Sequence, residues 1–235
     1  MTPRRIDAVL FDLDGTLIDT APDFIRIIRL LCAEDGIAAP TDAEIRVQVS
    51  EGARAMVRLI HPELTTDSPE LLTYRDRFLQ HYGQHIAVDT CLFEGMDAVL
   101  THLETRCIPW GIVTNKPRAL SEALLVALAL DQRCAVLVCP DDVAQPKPHP
   151  EPMYLAAQHL ALDPAHILYV GDHPRDIDAG RNAHMPTVLA AYGYLPPAHA
   201  HDLDAWQADA IISHADALLP LLHSDMFVLG CLDHA

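Results

Sequence analysis

Val9-Leu10-Phe11-Asp12-Leu13-Asp14-Gly15-Thr16-Leu17 runs an apolar stretch into two carboxylates and a glycine. In an extended strand residues i and i+2 leave on the same face, so Asp12 and Asp14 emerge side by side where the strand ends. Gly15 then lets the chain turn sharply, with no Cβ in the way. Adjacent carboxylates repel unless a cation lies between them, and a hard divalent ion with oxygen ligands, such as magnesium, meets that need. A polar strand end followed by a turn fits the same residues equally well, so the rest of the chain has to decide.

Directly after this segment the pattern is helical. Asp19 or Thr20 is placed to cap a helix whose first turn holds Pro22 and Asp23, whose apolar face includes Phe24, Ile27, Ile28 and Leu31, and which Gly36 ends. Thr41 and Glu44 have capping-box spacing for a second helix, Gly52 interrupts the pattern before it resumes over 53–60, and another helix is expected from Pro69 to about Tyr82. From Gly95 onward short apolar strands near Trp110–Thr114, Val136–Cys139, Ile167–Val170, Thr187–Ala191 and Ala210–Ile212 alternate with helices. Strands of that kind separated by helices imply a parallel sheet covered on both faces. The expected fold is therefore α/β, a Rossmann-like doubly wound parallel sheet built from residues 1–17 and 89–235, with a small all-helical domain inserted at 18–88.

Ligands of such sheets bind beyond the carboxyl ends of the strands. The polar residues at those ends are Asp12 and Asp14, then Thr114-Asn115-Lys116, then Gly171-Asp172 with Asp176 further on, and Lys147 sits between Pro146 and Pro148 just before a helix. Taken singly, Thr114 reads as an ordinary strand-end hydroxyl, Lys147 as a solvated loop lysine, and Asp172 with Asp176 as a turn and a helix cap. Their common place at one edge of the sheet, in this order, is what singles them out.

Composition narrows the partners. With 16 basic and 33 acidic residues the formal charge is -17, which argues against general binding to nucleic acid or anionic membrane, since both need a basic footprint. No apolar run reaches the roughly 18–20 residues that span a bilayer. Met1-Thr2-Pro3-Arg4-Arg5 leads straight into the first strand, so a cytoplasmic location is the default expectation. Cys32, Cys91, Cys107, Cys134, Cys139 and Cys231 contain no Cys-x-x-Cys pair and are expected as buried, reduced thiols. The histidines, including His81/His85 and His199/His201, lack a further ligand set and read mostly as surface residues. The end of the chain after about 224 reads as weakly determined.

Together these segments resemble the haloacid dehalogenase superfamily of phosphotransferases over nearly the whole chain. The resemblance implies that Asp12 attacks phosphorus, forming an aspartyl-phosphate that water hydrolyses, and that Asp14 is the general acid and base. It further implies that Thr114 binds a phosphoryl oxygen, that Lys147 offsets negative charge, and that Mg2+ is held by Asp12, the main-chain carbonyl of Asp14 and Asp172, with Asp176 a ligand or its neighbour. Dehalogenases of the superfamily lack an acid at the position of Asp14, so a phosphomonoester is the expected substrate. Two departures from the pattern are His173-Pro174-Arg175, where a small polar residue is more usual first, and His184, where many relatives have glycine.

The insertion resembles the superfamily's small helical cap, a lid that admits only small substrates. Within it Ser50-Glu51-Gly52-Ala53-Arg54 breaks the helical pattern. The turn at Gly52 is expected to face the site with Arg54 gripping a substrate carboxylate, and a surface arginine beside a loop glycine is the other reading. Asn115 and Lys116 are further candidates for substrate contact.

Residues 52–57, 110–117 and 136–141 look more like the bacterial phosphatases of N-acetylmuramic acid 6-phosphate than like the related phosphatases of 2-phosphoglycolate. The former substrate is therefore expected first and the latter second. A β-phosphoglucomutase-like mutase and a non-catalytic phosphate-binding protein are the rival functions. A dinucleotide-binding oxidoreductase is disfavoured because no Gly-x-Gly-x-x-Gly follows the first strand. No macromolecular partner is expected, and the chain is expected as a monomer or homodimer.

Overall fold

The computed structural model describes residues 3–66 and 68–230. Arg4–Ile6 (β1) and Ala8–Phe11 (β2) come first, and Ile18–Asp19 (β3) leads out to helices Ala21–Asp35 (α1), Asp42–Arg46 (α2), Ala53–Ile60 (α3) and Pro69–Gln84 (α4). The chain returns along Cys91–Leu92 (β4), antiparallel to β3. Strands and helices then alternate: Met96–Thr105 (α5), Trp110–Val113 (β5), Arg118–Ala127 (α6), Val136–Val138 (β6), Glu151–Leu160 (α7), Ile167–Gly171 (β7), Pro174–Asn182 (α8), Thr187–Ala190 (β8) and Ala210–Ile212 (β9). Leu218–Leu221 (α9) and Phe227–Leu229 (β10) follow.

The main sheet has six strands in the order β6-β5-β2-β7-β8-β9, and every neighbouring pair is parallel. Its sequences explain that arrangement: every residue of β2 and β7 is buried, so both faces must be covered. Val9 and Phe11 pack into one apolar layer with α5 and α6, whereas Ala8 and Leu10 pack into the other with α7 and α8. This is the doubly wound α/β fold that the alternation predicts. From β2 the chain builds outward to β6, crosses back to β7 and builds the other way to β9. The reversal puts a crevice beyond the carboxyl end of β2.

The helices between β3 and β4 bury an apolar cluster of their own, formed by Phe24, Ile27, Ile28 and Leu31 of α1, Met56 and Val57 of α3, and Leu71, Phe78 and Tyr82 of α4. Local signals set several of their ends. The Glu44 amide donates to Thr41 Oγ1 and the Thr41 amide donates back to Glu44, the expected capping box, while Ser68 caps α4. At α1 the outcome differs: Thr20 is the cap residue, but its hydroxyl donates to Asp14 Oδ1 at 2.7 Å instead of capping.

Asp23 in the first turn of α1 is fully buried and ties the departing and returning segments together. It accepts from Thr90 Oγ1 at 2.6 Å, from the amides of Val88 and Asp89 at 3.1 and 3.0 Å, and from Arg26 at 2.6 Å. Burial pushes its pKa up, but the hydrogen bonds from Thr90 and Arg26 outweigh burial and hold the carboxyl below its usual range.

Several features differ from the sequence reading. β1 and β10 pair in parallel as a second, two-stranded sheet, so part of the tail after residue 224 is a strand. Three-residue strands are too short to show a hydrophobic period. Helix α8 starts at Pro174, earlier than its apolar residues suggest, because His173 caps it. Among the described cysteines all are free; Cys32 and Cys139 are buried and Cys134 partly so, but Cys91 and Cys107 are exposed. Cys91 lies on the short strand β4 and Cys107 in a left-handed turn with φ 57°, neither of which packs into the core. Cys231 lies outside the described residues. Among the described residues no helix is long and apolar enough to cross a membrane.

Candidate active site

Three parallel strands deliver their next residues to the crevice. Asp12 follows β2 and its amide donates to Val170 O of β7, so the sheet itself fixes its backbone. Thr114 follows β5, and its amide bonds to Val138 O of β6. Asp172 follows β7 behind Gly171, and Asp176 sits in the first turn of α8. Lys147 reaches in from the loop after β6 and is 3% exposed.

The Lys147 ammonium organises the cluster. Its three protons have three acceptors: Asp12 Oδ1 at 2.9 Å, Val113 O at 2.8 Å and Tyr169 Oη at 2.8 Å. Asp176 Oδ1 also lies 2.7 Å from Nζ, as a buried ion pair. Asp172 is held from the other side by Thr16 Oγ1 at 2.9 Å, the Tyr194 amide at 2.8 Å and Ser50 Oγ at 3.2 Å. Gly15 allows this close approach: its φ is +89°, and a Cβ there would lie 2.2 Å from Asp172 Oδ2.

The electrostatics follow from burial. Asp12 has its pKa raised by burial and by Asp176, against the pull of Lys147. Asp172 is raised further by burial, Asp12 and Asp176. Burial acts on Asp176 as well, but Lys147 and Arg175 outweigh it and keep this carboxyl low.

Carboxylate oxygens of Asp12, Asp172 and Asp176 all lie within 4.8 Å of one another. Three buried carboxylates share one lysine ammonium, and their mutual repulsion is part of what raises Asp12 and Asp172. An all-oxygen set of mutually repelling carboxylates fits a hard divalent cation. The Asp14 side chain is outside this group: it pairs with Lys116 Nζ at 2.9 and 3.2 Å and accepts from Thr20.

The cluster opens into a cavity of about 530 Å³ that the insertion walls on the far side. Asp12, Asp14, Thr114, Asn115 and Lys116 line it from the sheet, and Ser50, Gly52 and Arg54 from the insertion. Gly52 takes φ +83°, where the helical pattern broke in the sequence. Asn115 also donates to Lys147 O at 2.9 Å, and the Lys116 amide donates to Thr114 Oγ1 at 3.1 Å. Thus every residue singled out from the sequence lies at this cavity or in the carboxylate cluster behind it.

Others were not singled out. Thr16, Ser50, Tyr169 and Tyr194 hold the acidic cluster through contacts between distant parts of the chain, for which no local signal exists. Arg75, Phe78 and Arg175 complete the cavity wall. Adjacency to Asp176 was the only available sign for Arg175, which donates to Ser50 O. The two departures have structural roles. His173 Nδ1 accepts from the Arg175 amide at 3.2 Å while Nε2 meets Glu51 at 3.0 Å, and His184 adopts a left-handed φ of 62° before β8.

A parallel sheet with this acidic cluster at its topological switch point defines a class. The profile of the haloacid dehalogenase-like hydrolases matches residues 9–190, and the chain belongs to that family. It is a phosphatase of the family, and its relatives bear phosphatase names. The N-acetylmuramic acid 6-phosphate phosphatase of Pseudomonas aeruginosa is 43% identical over 223 residues, covering 94% of this chain and 97% of that one. The phosphoglycolate phosphatase of Xanthomonas campestris pv. campestris is 40% identical over 213 residues, covering 90% and 94%. In fold, the chain matches the crystal structure of a predicted phosphoglycolate phosphatase from Haemophilus somnus with TM-score 0.81 at 23% identity, over 92% of this chain and 97% of that one.

Proposed function

We propose that this chain is a magnesium-dependent phosphomonoesterase that works through an aspartyl-phosphate, with N-acetylmuramic acid 6-phosphate as its substrate. The observation that carries the reaction is the buried cluster of Asp12, Lys147, Asp172 and Asp176, which Asp12 joins to the cavity in front of it. Asp12 attacks phosphorus, the bond to the leaving oxygen breaks, and Asp14 gives that oxygen a proton. Asp14 then takes a proton from the water that attacks the aspartyl-phosphate, and phosphate leaves. Lys147 and the Thr114 hydroxyl offset charge on the nucleophile and the transferring group, which is where most catalysis of phosphoryl transfer arises. Asp12, the Asp14 carbonyl and Asp172, with Asp176 as ligand or neighbour, would hold Mg2+, which supplies charge neutralisation at the phosphoryl oxygens.

Three observations support the substrate. The relative from Pseudomonas aeruginosa shares more identity with this chain than the relative from Xanthomonas campestris does. A cavity of about 530 Å³ suits a sugar-sized molecule, whereas a two-carbon acid would leave much of it to water. Arg54, Arg75 and Arg175 give its wall the positive charge that a carboxylated ester needs. Residues 18–88 act as the lid in this reading. A small ester is the only partner it needs, and it places the chain in the cytoplasm as a monomer or homodimer.

The test is phosphate release with Mg2+ from N-acetylmuramic acid 6-phosphate, 2-phosphoglycolate and simple sugar phosphates. The first should give the highest kcat/KM. If 2-phosphoglycolate wins, it replaces the first substrate. Sugar phosphate isomerisation without phosphate release means a mutase, and an inert wild-type protein that still binds phosphate means a binding protein.

A further inference from the structure

Lys116 is one of two lysines in the chain, and both are buried. Its ammonium, just beyond the end of β5, lies against a pair of adjacent aromatic rings of the helical insertion. Nζ lies 4.6 Å from the ring centroid of Tyr82 in α4 and 5.1 Å from that of Phe24 in α1. The rings brace each other, with centroids 4.7 Å apart, and Tyr82 is fully buried. From this place against the rings Nζ reaches both oxygens of Asp14, at 2.9 and 3.2 Å. Thr20, at the start of α1, donates to the same carboxylate at 2.7 Å. The direction of Asp14 is thus set by one residue of the sheet domain and two walls of the insertion. An ammonium over two ring faces is held by their negative quadrupoles, most strongly where water is excluded.

We propose that Lys116 is a positioning residue that aims Asp14, and that the Phe24–Tyr82 ring pair makes this aim depend on the insertion being seated. The inference rests on the proposed role of Asp14 as acid and base. It replaces the expectation that Lys116 touches the substrate. When the insertion is seated, Lys116 and Thr20 hold Asp14 toward the leaving oxygen. When it lifts away, the rings leave and Lys116 loses its guide, so Asp14 is ordered only around an enclosed substrate.

The test uses Lys116→Met with two esters, an alkyl phosphate and p-nitrophenyl phosphate. An alkoxide needs a proton to leave, but p-nitrophenolate does not; both routes need Asp14 to deprotonate water in the second half. With p-nitrophenyl phosphate the variant should therefore form the Asp12–phosphorus bond quickly and then stall. The expected result is a burst of about one equivalent of p-nitrophenolate, followed by turnover roughly 100-fold slower than wild type. With the alkyl ester kcat should fall similarly without a burst and KM should stay within about threefold, whereas with p-nitrophenyl phosphate KM should fall together with kcat, because kcat/KM reports only the first half of the reaction.

Tyr82→Leu, which removes one wall, should give the same burst with kcat down about tenfold, and Tyr82→Phe should recover it by restoring the ring. These variants carry the test if Lys116→Met does not fold. A raised KM with unchanged kcat would show that Lys116 holds substrate and would overturn the proposal, as would loss on both esters with no burst. Asp12→Asn should give neither burst nor turnover. If Asp12→Asn turns over normally, or the wild type is inert, the reaction assigned above fails rather than the role of Lys116.

Discussion

At the carboxyl ends of β2, β5 and β7 the polar side chains are buried and sit on backbone that the sheet fixes, whereas across the cavity Glu51 and Arg54 are exposed on either side of the turn at Gly52, with Arg54 in the first turn of α3. The first region has its charges locked by several partners each: Asp172 alone has three donors. The second is tied down at a few points, such as Glu51 to His173 and Ser50 to Asp172. Groups that must meet a phosphoryl centre need sub-ångström placement, and a strand end supplies it. Groups that must admit and release a whole substrate have to move, and short helices joined at a glycine supply that.

If the contrast is sound, damage to the sheet side should cost the most. Lys147→Met removes the only ammonium in the cluster and should lower kcat by about 100- to 1,000-fold. It also leaves Asp12 and Asp176 without their buried counter-charge, which should cost about 3–5 kcal/mol in urea unfolding of the metal-free protein. Turnover within threefold of wild type would show that the lysine does not neutralise the reacting groups.

Asp23 tests the junction between the regions. Asp23→Ala leaves Thr90 and the amides of Val88 and Asp89 without their acceptor and should destabilise by about 3 kcal/mol. Urea unfolding checks this, and a midpoint equal to wild type would mean that the return segment needs no stitch. Magnesium comes next. At about 100 times its Kd, a ligand that binds only the folded state stabilises by about 2.7 kcal/mol, or roughly 5–10 °C in a chain of this size. Thermal unfolding with and without Mg2+ should show that rise, and Asp172→Asn should lose it. An unchanged Tm in wild type would break the metal assignment.

The same contrast governs what the sequence discloses. Asp12-Leu13-Asp14-Gly15 is legible because the strand, the paired acids and the turn are neighbours in sequence. Thr114, Lys147 and Asp172 are legible as the polar residues that follow apolar strands in a fold whose ligands sit at such ends. Thr16 reaches Asp172 across 156 residues and Ser50 reaches it across 122, and nothing local at either residue announces the contact. The capping box at Thr41 was readable for the opposite reason, since both of its bonds span three residues. Lys116 falls between the cases: its position at the end of β5 was readable, but not its contact with the Phe24–Tyr82 ring pair, which belongs to the packing of two regions.

Arg54 is where the comparison is sharpened rather than broken. It lines the cavity yet is exposed, so a hydrogen bond from its guanidinium to a substrate carboxylate stays at the low end of the about 1.5–3 kcal/mol typical of charged pairs. Arg54→Ala should therefore raise KM for a carboxylated ester by about tenfold, near 1.4 kcal/mol, and leave kcat almost unchanged. p-Nitrophenyl phosphate, which has no carboxylate, is the internal control and should keep its KM. The split between the two esters is the point of the measurement, because a general disturbance of the start of α3 would affect both. If the two KM values rise together, Arg54 shapes the insertion instead of reading the substrate. Carboxylate recognition then has to be sought at Arg75 and Arg175 on the same wall.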